Sequence, residues 1–318
     1  MTGSTYCSVI VLNCNGREFL RACLDSLARQ TNARFEIIVV DNGSTDGSLQ
    51  MLAQNYPQVR SISLPDNRGF SVANNVALAD AIGRGAEFLL LLNNDTVVAP
   101  SFVDELVAAI ETDTRIAAVC PKIYFASDSE ILWYAGADFS LYSARLAQRG
   151  WRQRDSGQFD SRQDVTVVTG CAVLLRASAV RQVGLLDETL WAYREDVEWS
   201  IRFRQHGYLL RMAPRARVWH HDGATSVRIL GGGSQAKRQY HSTRNIVLIG
   251  WKHARWWQMP TYLLGFLVNE LAYYTALRIW RRDFRALWAI YRGAAAGLRY
   301  IVLNPDLPKR TDSMRDWA

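Results

Sequence analysis

Two acidic clusters, about a hundred residues apart, are the groups best suited to chemistry in this chain of 318 residues. The first is Asn93-Asn94-Asp95, which follows an apolar, strand-like run, and the second is Glu195-Asp196, which opens a segment with helical spacing. A carboxylate at a strand end suits a cation held against phosphates, and a second acidic site supplies a candidate base. Together the clusters favour a transferase that acts on an activated donor carrying phosphate.

The elements that position these clusters alternate between strand and helix in the first half of the chain. Apolar and β-branched runs at 7–12 and 35–40 flank a segment with leucines at helical spacing. This order predicts a βαβ unit with parallel strands, with further strands at 60–64 and 88–92 and a helix over 71–82 between them. Ligands of such sheets bind beyond the carboxyl ends of the strands, where the connecting loops diverge.

Two of the predicted strands end in polar loops at that edge. One strand runs into Asp41-Asn42-Gly43-Ser44, and the other runs into the cluster that contains Asp95. Loops of Asn, Asp, Ser and Gly also form Asx turns and helix caps without any ligand. Each loop alone therefore leaves both interpretations open.

The second half of the chain has a less regular pattern. Residues 126–165 are polar with weak periodicity and are a candidate flap facing an acceptor, whereas 165–175 is expected to form a buried strand. Within that strand Gly170 allows the backbone to approach a ligand closely. A helix is then expected to run to His206, with Gly207 as its C-cap.

Composition and missing motifs exclude several classes of protein. The five cysteines are odd in number and contain no CxxC pair, which argues against a disulfide framework and a zinc site and favours a reducing compartment. The first residues lack the basic region of a signal peptide, so none is expected. The absence of GxxxxGK[ST], GxGxxG and HExxH removes the commonest triphosphatase, dehydrogenase and metalloprotease interpretations.

The basic charge of the protein belongs to its C-terminal region. Residues 231–318 contain 14 Lys and Arg against 5 Asp and Glu, together with 6 of the 11 Trp residues. We therefore predict a catalytic domain over 1–230 and a basic, aromatic-rich helical region over 231–318. Aromatic and basic residues together suit a membrane interface, whereas nucleic acid is a poorer explanation of the charge. For 256–277, surface association, packing on the domain and a membrane span remain open.

The chain resembles family 2 glycosyltransferases, and within them the rhamnosyltransferase-like branch, over roughly residues 6–228. The resemblance rests on motifs that occur in the family's order. They are 9–13 (VIVLN), 39–48 (VVDNGSTDGS), 67–70 (NRGF) with Asn74-Asn75, 91–95 (LLNND), 169–171 (TGC), 184–188 (GLLDE) and 195–198 (EDVE).

The resemblance implies an α/β fold of the GT-A type, the Rossmann-like fold of nucleotide-diphospho-sugar transferases. Its mixed sheet is flanked by helices, here with a C-terminal helical extension. It also implies inverting transfer from a nucleotide-diphosphate sugar with a divalent cation, Mg²⁺ or Mn²⁺.

Family analogy assigns Asp41 to the base or ribose of the donor and Asp95 to the cation, since Asp95 matches the last residue of the DxD motif. Asn93 stands where many members of the family have Asp. The segment at 218–222 resembles the place where relatives supply a histidine to the cation, so His220 is assigned as a metal ligand. His221 stays as the alternative.

The acceptor side is assigned to the second acidic cluster. Within the resemblance, Asp196 is the candidate base and Glu195 its catalytic neighbour; the alternative is an acidic first turn favoured by the helix dipole. Further donor-binding residues implied by the resemblance are Asn13, Asn67, Gly69, Asn74, Asn94 and Arg244.

The resulting hypothesis is an inverting hexosyltransferase that moves L-rhamnose from dTDP-rhamnose to a lipid-linked or polysaccharide acceptor in cell-envelope glycan synthesis, such as lipopolysaccharide assembly. Transfer of another sugar (galactofuranose, GlcNAc or glucose) and a non-catalytic sugar-nucleotide-binding protein are the alternatives. The expected location is cytoplasmic, peripheral on the inner face of the cytoplasmic membrane.

Overall fold

The computed structural model describes residues 7–31, 34–222 and 234–304. Its strands are β1 Cys7–Asn13, β2 Phe35–Asn42, β3 Arg60–Leu64, β4 Phe88–Asn93, β5 Thr96–Val98, β6 Ile116–Phe125, β7 Asp128–Tyr134, β8 Ala137–Ser140, β9 Arg145–Gln148, β10 Ala172–Arg176 and β11 Leu209–His220. Its α-helices are α1 Arg17–Ala28, α2 Ser48–Asn55, α3 Gly69–Gly83, α4 Phe102–Glu111, α5 Ala177–Val183, α6 Glu195–Gln205, α7 Ser234–His253, α8 Met259–Gly265, α9 Tyr273–Trp280 and α10 Phe284–Leu303. A 3-10 turn covers Glu188–Leu190, and a π-helical turn over Phe266–Ala272 connects α8 to α9.

A mixed sheet with the order β3-β2-β1-β4-β10-β6-β11-β5 forms the centre of the fold, and β7 pairs with β6 at its side. Strands β1 to β4 are parallel, as the alternating pattern predicts, because a helix connects each to the next. Strand β10 is antiparallel to both of its neighbours, β4 and β6. The side chains of β4 are almost wholly buried, as expected for a strand covered on both faces.

The strand before α5 is shorter than the sequence predicts. The buried strand expected over 165–175 is wrong in its first part, since β10 begins only at Ala172. The residues before it leave the sheet because their backbone has other partners: Val167 pairs with Ala137, and the Gly170 N–H donates to Asp196. The polar segment over 126–165 forms β7 and the β8-β9 hairpin with their connecting turns.

The described part of the C-terminal region packs against the sheet domain. Ile246 and Ile249 of α7 belong to the main hydrophobic core. Glu198 of α6 makes an ion pair with Arg202 at 2.9 Å and accepts from His253 Nε2 of α7 at 3.0 Å, and all three side chains are buried. The predicted boundary between 230 and 231 lies outside the described residues. Across the described ranges, none of the helices is both long enough and apolar enough to cross a bilayer.

Candidate active site

The ends of β1, β2 and β4 carry a buried polar network at the carboxyl edge of the sheet. Asn13 Nδ2 donates to Asp41 Oδ1 at 3.0 Å and to Ser44 Oγ at 3.1 Å, and Asn13 Oδ1 accepts from Asn94 Nδ2 at 2.6 Å. The second oxygen of Asp41 accepts the Ser44 N–H at 3.0 Å. The parallel register sets Asn13 opposite Asp41. The structure therefore brings three of the predicted donor-binding residues together.

A second group of amides continues this edge around Asn42, which the sequence analysis did not select. Asn42 Nδ2 donates to Asn67 Oδ1 at 3.1 Å and to the Gly69 carbonyl at 3.2 Å, and Asn42 Oδ1 accepts the Arg68 N–H at 2.8 Å. Gly69 has φ +82°, and a Cβ there would lie 2.5 Å from Trp191 Nε1. Glycine is thus needed both for the backbone conformation and for the approach of the indole.

Asp95 and His220 meet where β4 and β11 end. His220 Nε2 lies 3.2 Å from Asp95 Oδ1, both residues are buried, and the ring of Trp133 meets the imidazole edge-on at 4.9 Å between centroids. Burial opposes protonation of the imidazole, but the neighbouring Cys171 and Asp95 raise the pKa of His220 well above its usual range. The pair is therefore a preformed contact between a carboxylate and an imidazole.

His221 takes a different position from its neighbour. Its backbone N–H donates to the Asp95 carbonyl at 2.9 Å, and its ring packs against Phe19 at 5.2 Å between centroids. His221 follows the last residue of β11, and its contact with Phe19 leaves His220 as the imidazole that meets the carboxylate. The structure directs His220 to the Asp95 carboxylate.

Glu195 and Asp196 begin α6. Asp196 Oδ2 accepts the Gly170 N–H at 3.1 Å, and its Oδ1 accepts the Val197 N–H at 2.8 Å. Burial raises the pKa of Asp196, and these hydrogen bonds together with the charge of Arg194 offset only part of that rise. Burial and the charge of Asp196 raise the pKa of Glu195 to about 8. With its pKa at about 8, Glu195 is the member of the pair that holds a proton near neutral pH.

The Gly170-Cys171 turn joins the two acidic sites. Gly170 donates to Asp196, while the Cys171 carbonyl accepts the Asn93 N–H at 2.9 Å and the Cys171 side chain interacts with His220. Two consecutive residues thus contact the Asp196 carboxylate and the Asp95–His220 pair. The turn links the two acidic clusters, although about a hundred residues separate them in the sequence.

Two other predicted donor-binding residues have partners within the protein. Asn74 Nδ2 donates to the Phe70 carbonyl at 2.9 Å inside α3. Arg244 Nη1 donates to the Thr189 carbonyl at 2.9 Å, and its guanidinium lies over the ring of Tyr300 at 5.2 Å. A role for either residue in donor binding stays a prediction.

With the imidazole neutral, the donor set of Asp95 and His220 fits a divalent cation that is bound together with a substrate, since metal binding displaces the proton of its ligand. Among the residues that the structure describes, no group of three or more His, Cys, Asp or Glu side chains forms a complete metal site. Mg²⁺ keeps several positions for water and phosphate oxygens, so two protein ligands suffice if a diphosphate supplies others. An imidazole ligand is more natural for Mn²⁺ than for Mg²⁺.

Comparison with known sequences places the chain among enzymes of sugar transfer. The family model described as Glycosyl transferase family 2 matches residues 8–184. An N-acetylglucosaminyl-diphospho-decaprenol L-rhamnosyltransferase of Mycobacterium tuberculosis is 26% identical over 258 residues, which cover 76% of this chain and 83% of the relative. The dTDP-rhamnosyl transferase RfbF of Shigella flexneri is 24% identical over 219 residues, 67% of this chain and 70% of the relative.

Solved structures show the same fold. GalNAc-T7 with UDP, GalNAc and Mn²⁺ has a TM-score of 0.58 at 18% identity; the match covers 78% of this chain and 48% of that one, so the chain spans about half of its length. The mannosyltransferase PcManGT from Pyrobaculum calidifontis, in complex with GDP-Man and Mn²⁺, has a TM-score of 0.55 at 15% identity. That match covers 93% of this chain and 88% of PcManGT. Both are glycosyltransferases with the GT-A fold.

The raised pKa of Glu195 predicts a pH dependence of stability. The folded protein keeps this proton up to about pH 8, whereas the unfolded chain loses it near pH 4.3. Since the folded state binds the extra proton, this group lowers the free energy of unfolding by up to about 1.4 kcal/mol per pH unit as pH rises between these values. Glu195→Gln should remove that contribution, measured by urea denaturation at several pH values.

The matched control is Glu87→Gln, which neutralises an exposed carboxylate and should keep the wild-type pH slope. An unchanged slope in Glu195→Gln would show that Glu195 is ionised across this range.

Proposed function

Since the chain belongs to glycosyl transferase family 2 and is a glycosyltransferase of the GT-A fold, we propose that it is an inverting rhamnosyltransferase. The proposed donor is dTDP-L-rhamnose, and the proposed acceptor is a sugar on a lipid diphosphate or a growing polysaccharide of the cell envelope. The activities after which the relatives from M. tuberculosis and S. flexneri are named support the sugar, and that of the M. tuberculosis relative supports the acceptor class. The observation that carries the reaction type is the buried Asp196 carboxylate, which the Gly170-Cys171 turn links to the Asp95–His220 pair.

In this reaction Asp196 acts as the general base. Its carboxylate takes the proton of the acceptor hydroxyl as that oxygen bonds to the anomeric carbon of the donor. The bond from that carbon to the diphosphate breaks on the opposite face, and the nucleoside diphosphate leaves with the electron pair. A base is effective when its pKa is not far below the working pH, which the burial of Asp196 favours.

Asp95 and His220 are proposed to hold the divalent cation, Mn²⁺ or Mg²⁺. When bound, the ion neutralises charge on the diphosphate oxygens. Asn13, Asp41 and Asn94 are proposed to orient the nucleotide, and Asn67, Gly69, Asn74 and Arg244 to complete the donor pocket. An amide network suits this task because each amide both donates and accepts while carrying no charge.

Replacing the base should abolish transfer without loss of the fold. In Asp196→Asn the rate of acceptor-dependent nucleoside diphosphate release should fall by about 100-fold or more. Glu195→Gln, which mimics the protonated acid, should release nucleoside diphosphate at a rate close to that of wild type.

The acid limb of kcat/KM in the wild type should lie above the ordinary pKa of an aspartate, because protonation of Asp196 removes the base and burial raises the pKa of that carboxyl. The assay uses the full chain, Mn²⁺, a lipid-linked acceptor and a panel of nucleotide sugars.

In that assay, release with dTDP-rhamnose and not with UDP-GlcNAc, GDP-mannose or other donors identifies the sugar. A different preferred donor would replace rhamnose within the same mechanism. Near-wild-type release by Asp196→Asn would reject the base assignment.

Donor affinity should depend on the cation through Asp95 and His220. Titration calorimetry with the preferred donor and Mn²⁺ should show weaker binding in Asp95→Ala and in His220→Gln, and chelation should weaken the wild type to the same extent. His221→Gln is the matched control, because its imidazole packs on Phe19. If the loss occurred in His221→Gln and not in His220→Gln, the proposed ligand set would be wrong.

The C-terminal region is proposed to contact the membrane. Of the large apolar side chains that are exposed in the described residues, most lie between Trp256 and Leu303. The same surface carries exposed arginines, namely Arg255, Arg281, Arg282, Arg285, Arg292 and Arg299. Tryptophan and arginine together suit the headgroup region of an anionic bilayer.

On this proposal the chain divides into a catalytic unit over 1–230 and a membrane-associating unit over 231–318. The protein would then sit peripherally on the inner face of the cytoplasmic membrane, where it meets a lipid-linked acceptor.

Removing exposed tryptophans from that surface should weaken membrane binding. The double variant Trp280→Glu, Trp288→Glu changes side chains that are 78% and 69% exposed, so the fold should tolerate it. Its co-sedimentation with vesicles rich in anionic lipid should fall well below that of wild type. Leu49→Glu, on α2, is the control and should bind as wild type. Equal binding by all three proteins would contradict a membrane role for this surface.

A further inference from the structure

The π-helical turn Phe266–Ala272 brings a buried acid from the C-terminal region to the loop that precedes the catalytic carboxylates. Glu270 is only 2% exposed, and its Oε1 accepts from Arg194 Nη2 at 3.0 Å. Arg194 is the N-cap residue of α6 and directly precedes Glu195-Asp196. Turns of π-helix are rare in proteins, and those that occur often lie at functional sites.

The loop that ends at Arg194 has a strained backbone. Its backbone has positive φ at Trp191, Tyr193 and Arg194, with values of +57°, +65° and +69°. Residues other than glycine adopt such angles at a cost of about 1–3 kcal/mol each. Such conformations persist only where the surroundings hold them. The conformation of this loop sets the direction in which α6 starts, and hence the position of Asp196.

The surroundings that hold this loop come from the C-terminal region. Asn245 Nδ2 of α7 lies 2.8 Å, 3.0 Å and 2.6 Å from the carbonyl oxygens of Leu190, Ala192 and Tyr193. Ser242 Oγ, also on α7, accepts from Arg194 Nε at 2.9 Å. With Glu270, these contacts fix the guanidinium of Arg194 on two of its nitrogens.

We infer that Glu270 is a positioning residue for sugar transfer, which holds Arg194 so that the strained loop presents Asp196 to the acceptor and which offsets the positive charge beside that carboxylate. The inference rests on the proposed role of Asp196 as base. It makes the C-terminal region a part of the catalytic unit in addition to its proposed membrane contact.

The charges around Arg194 and Glu270 predict the direction in which the pKa of Asp196 would change. Arg194 faces Glu270, Asp196 and the hydroxyls of Tyr262 and Tyr274, and its charge lowers the pKa of both Glu195 and Asp196. Glu270 in turn faces Arg194, Tyr262 and Tyr274. Burial raises the pKa of Glu270, and the charge and hydrogen bond of Arg194 offset part of that rise, so Glu270 acts here as the carboxylate of the 3.0 Å ion pair with Arg194. Without this negative partner, Arg194 would favour ionised Asp196 more strongly. The base would then be weaker, and its protonation would occur at lower pH.

Stability alone does not explain this buried pair. Removing two charges from water is costly, and apolar replacements of buried ion pairs are often neutral or stabilising. The Arg194–Glu270 pair lies at the end of a strained loop, next to the proposed base. It therefore bears on the geometry of that loop and on the charge beside Asp196.

Two full-chain variants separate charge from geometry. Glu270→Gln keeps a hydrogen-bond acceptor but loses the charge, so kcat should fall and the acid limb of the pH profile should move to lower pH. Glu270→Asp keeps the charge but is one methylene shorter, so kcat should fall by about tenfold or more while the acid limb stays in place. The dissociation constant of the donor, measured by calorimetry, should be unchanged in both.

Asp283→Asn is the matched control. It neutralises another acid of the C-terminal region, one that lies 3.8 Å from Arg278 and caps α10, and it should leave kcat and the pH profile unchanged. Wild-type kcat and pH profile in both Glu270 variants would overturn the inference, as would a loss of kcat that matches the unfolded fraction seen in urea denaturation. Activity retained in Asp196→Asn would instead reject the proposed base, so the two failures are distinguishable.

Discussion

The hydrogen bond from the Gly170 N–H to the Asp196 carboxylate connects the two halves of the site. Gly170 stands at the entrance to β10, which inserts antiparallel between β4 and β6. Strand β4 leads to Asp95, and β11, paired with β6, ends at His220. The pairing of β10 therefore determines the spacing between the proposed donor-side cation ligands and the proposed base. A shift of β10 by one residue would change the partners on both sides.

Burial raises the pKa values of the two adjacent acids Glu195 and Asp196, and their neighbours modify that rise differently. Removing a carboxylate from water raises its pKa, and backbone N–H donors or a nearby cation lower it again. Arg194 lowers the pKa of both acids and two backbone N–H donors lower that of Asp196 further, whereas Glu195 has the charge of Asp196 as an added penalty. Glu195, with its pKa at about 8, is therefore the member that holds a proton near neutral pH. Two adjacent carboxylates of similar chemistry thus obtain different pKa shifts from their surroundings.

The described part of the C-terminal region faces two environments. Its inner side contributes Asn245 and Ser242 to the loop before α6 and Glu270 to Arg194. Its outer side carries tryptophans and arginines in contact with solvent. The exposed apolar surface and the buried ion pair lie within the same short helical segments. The same stretch of helix therefore joins the exposed surface to the loop that precedes Asp196.

The sequence by itself determined the parallel βαβ start and the placement of Asn13, Asp41 and Asp95 at strand ends, because hydrophobic periodicity reports burial and parallel strands end at one edge. Only the tertiary structure decided where β10 begins, which of two adjacent histidines reaches Asp95, and where Arg194 finds its buried partner. Residues that are 76 positions apart, as Arg194 and Glu270 are, leave no local pattern that links them. The pKa of a carboxyl group likewise depends on desolvation and on neighbours that folding alone brings together.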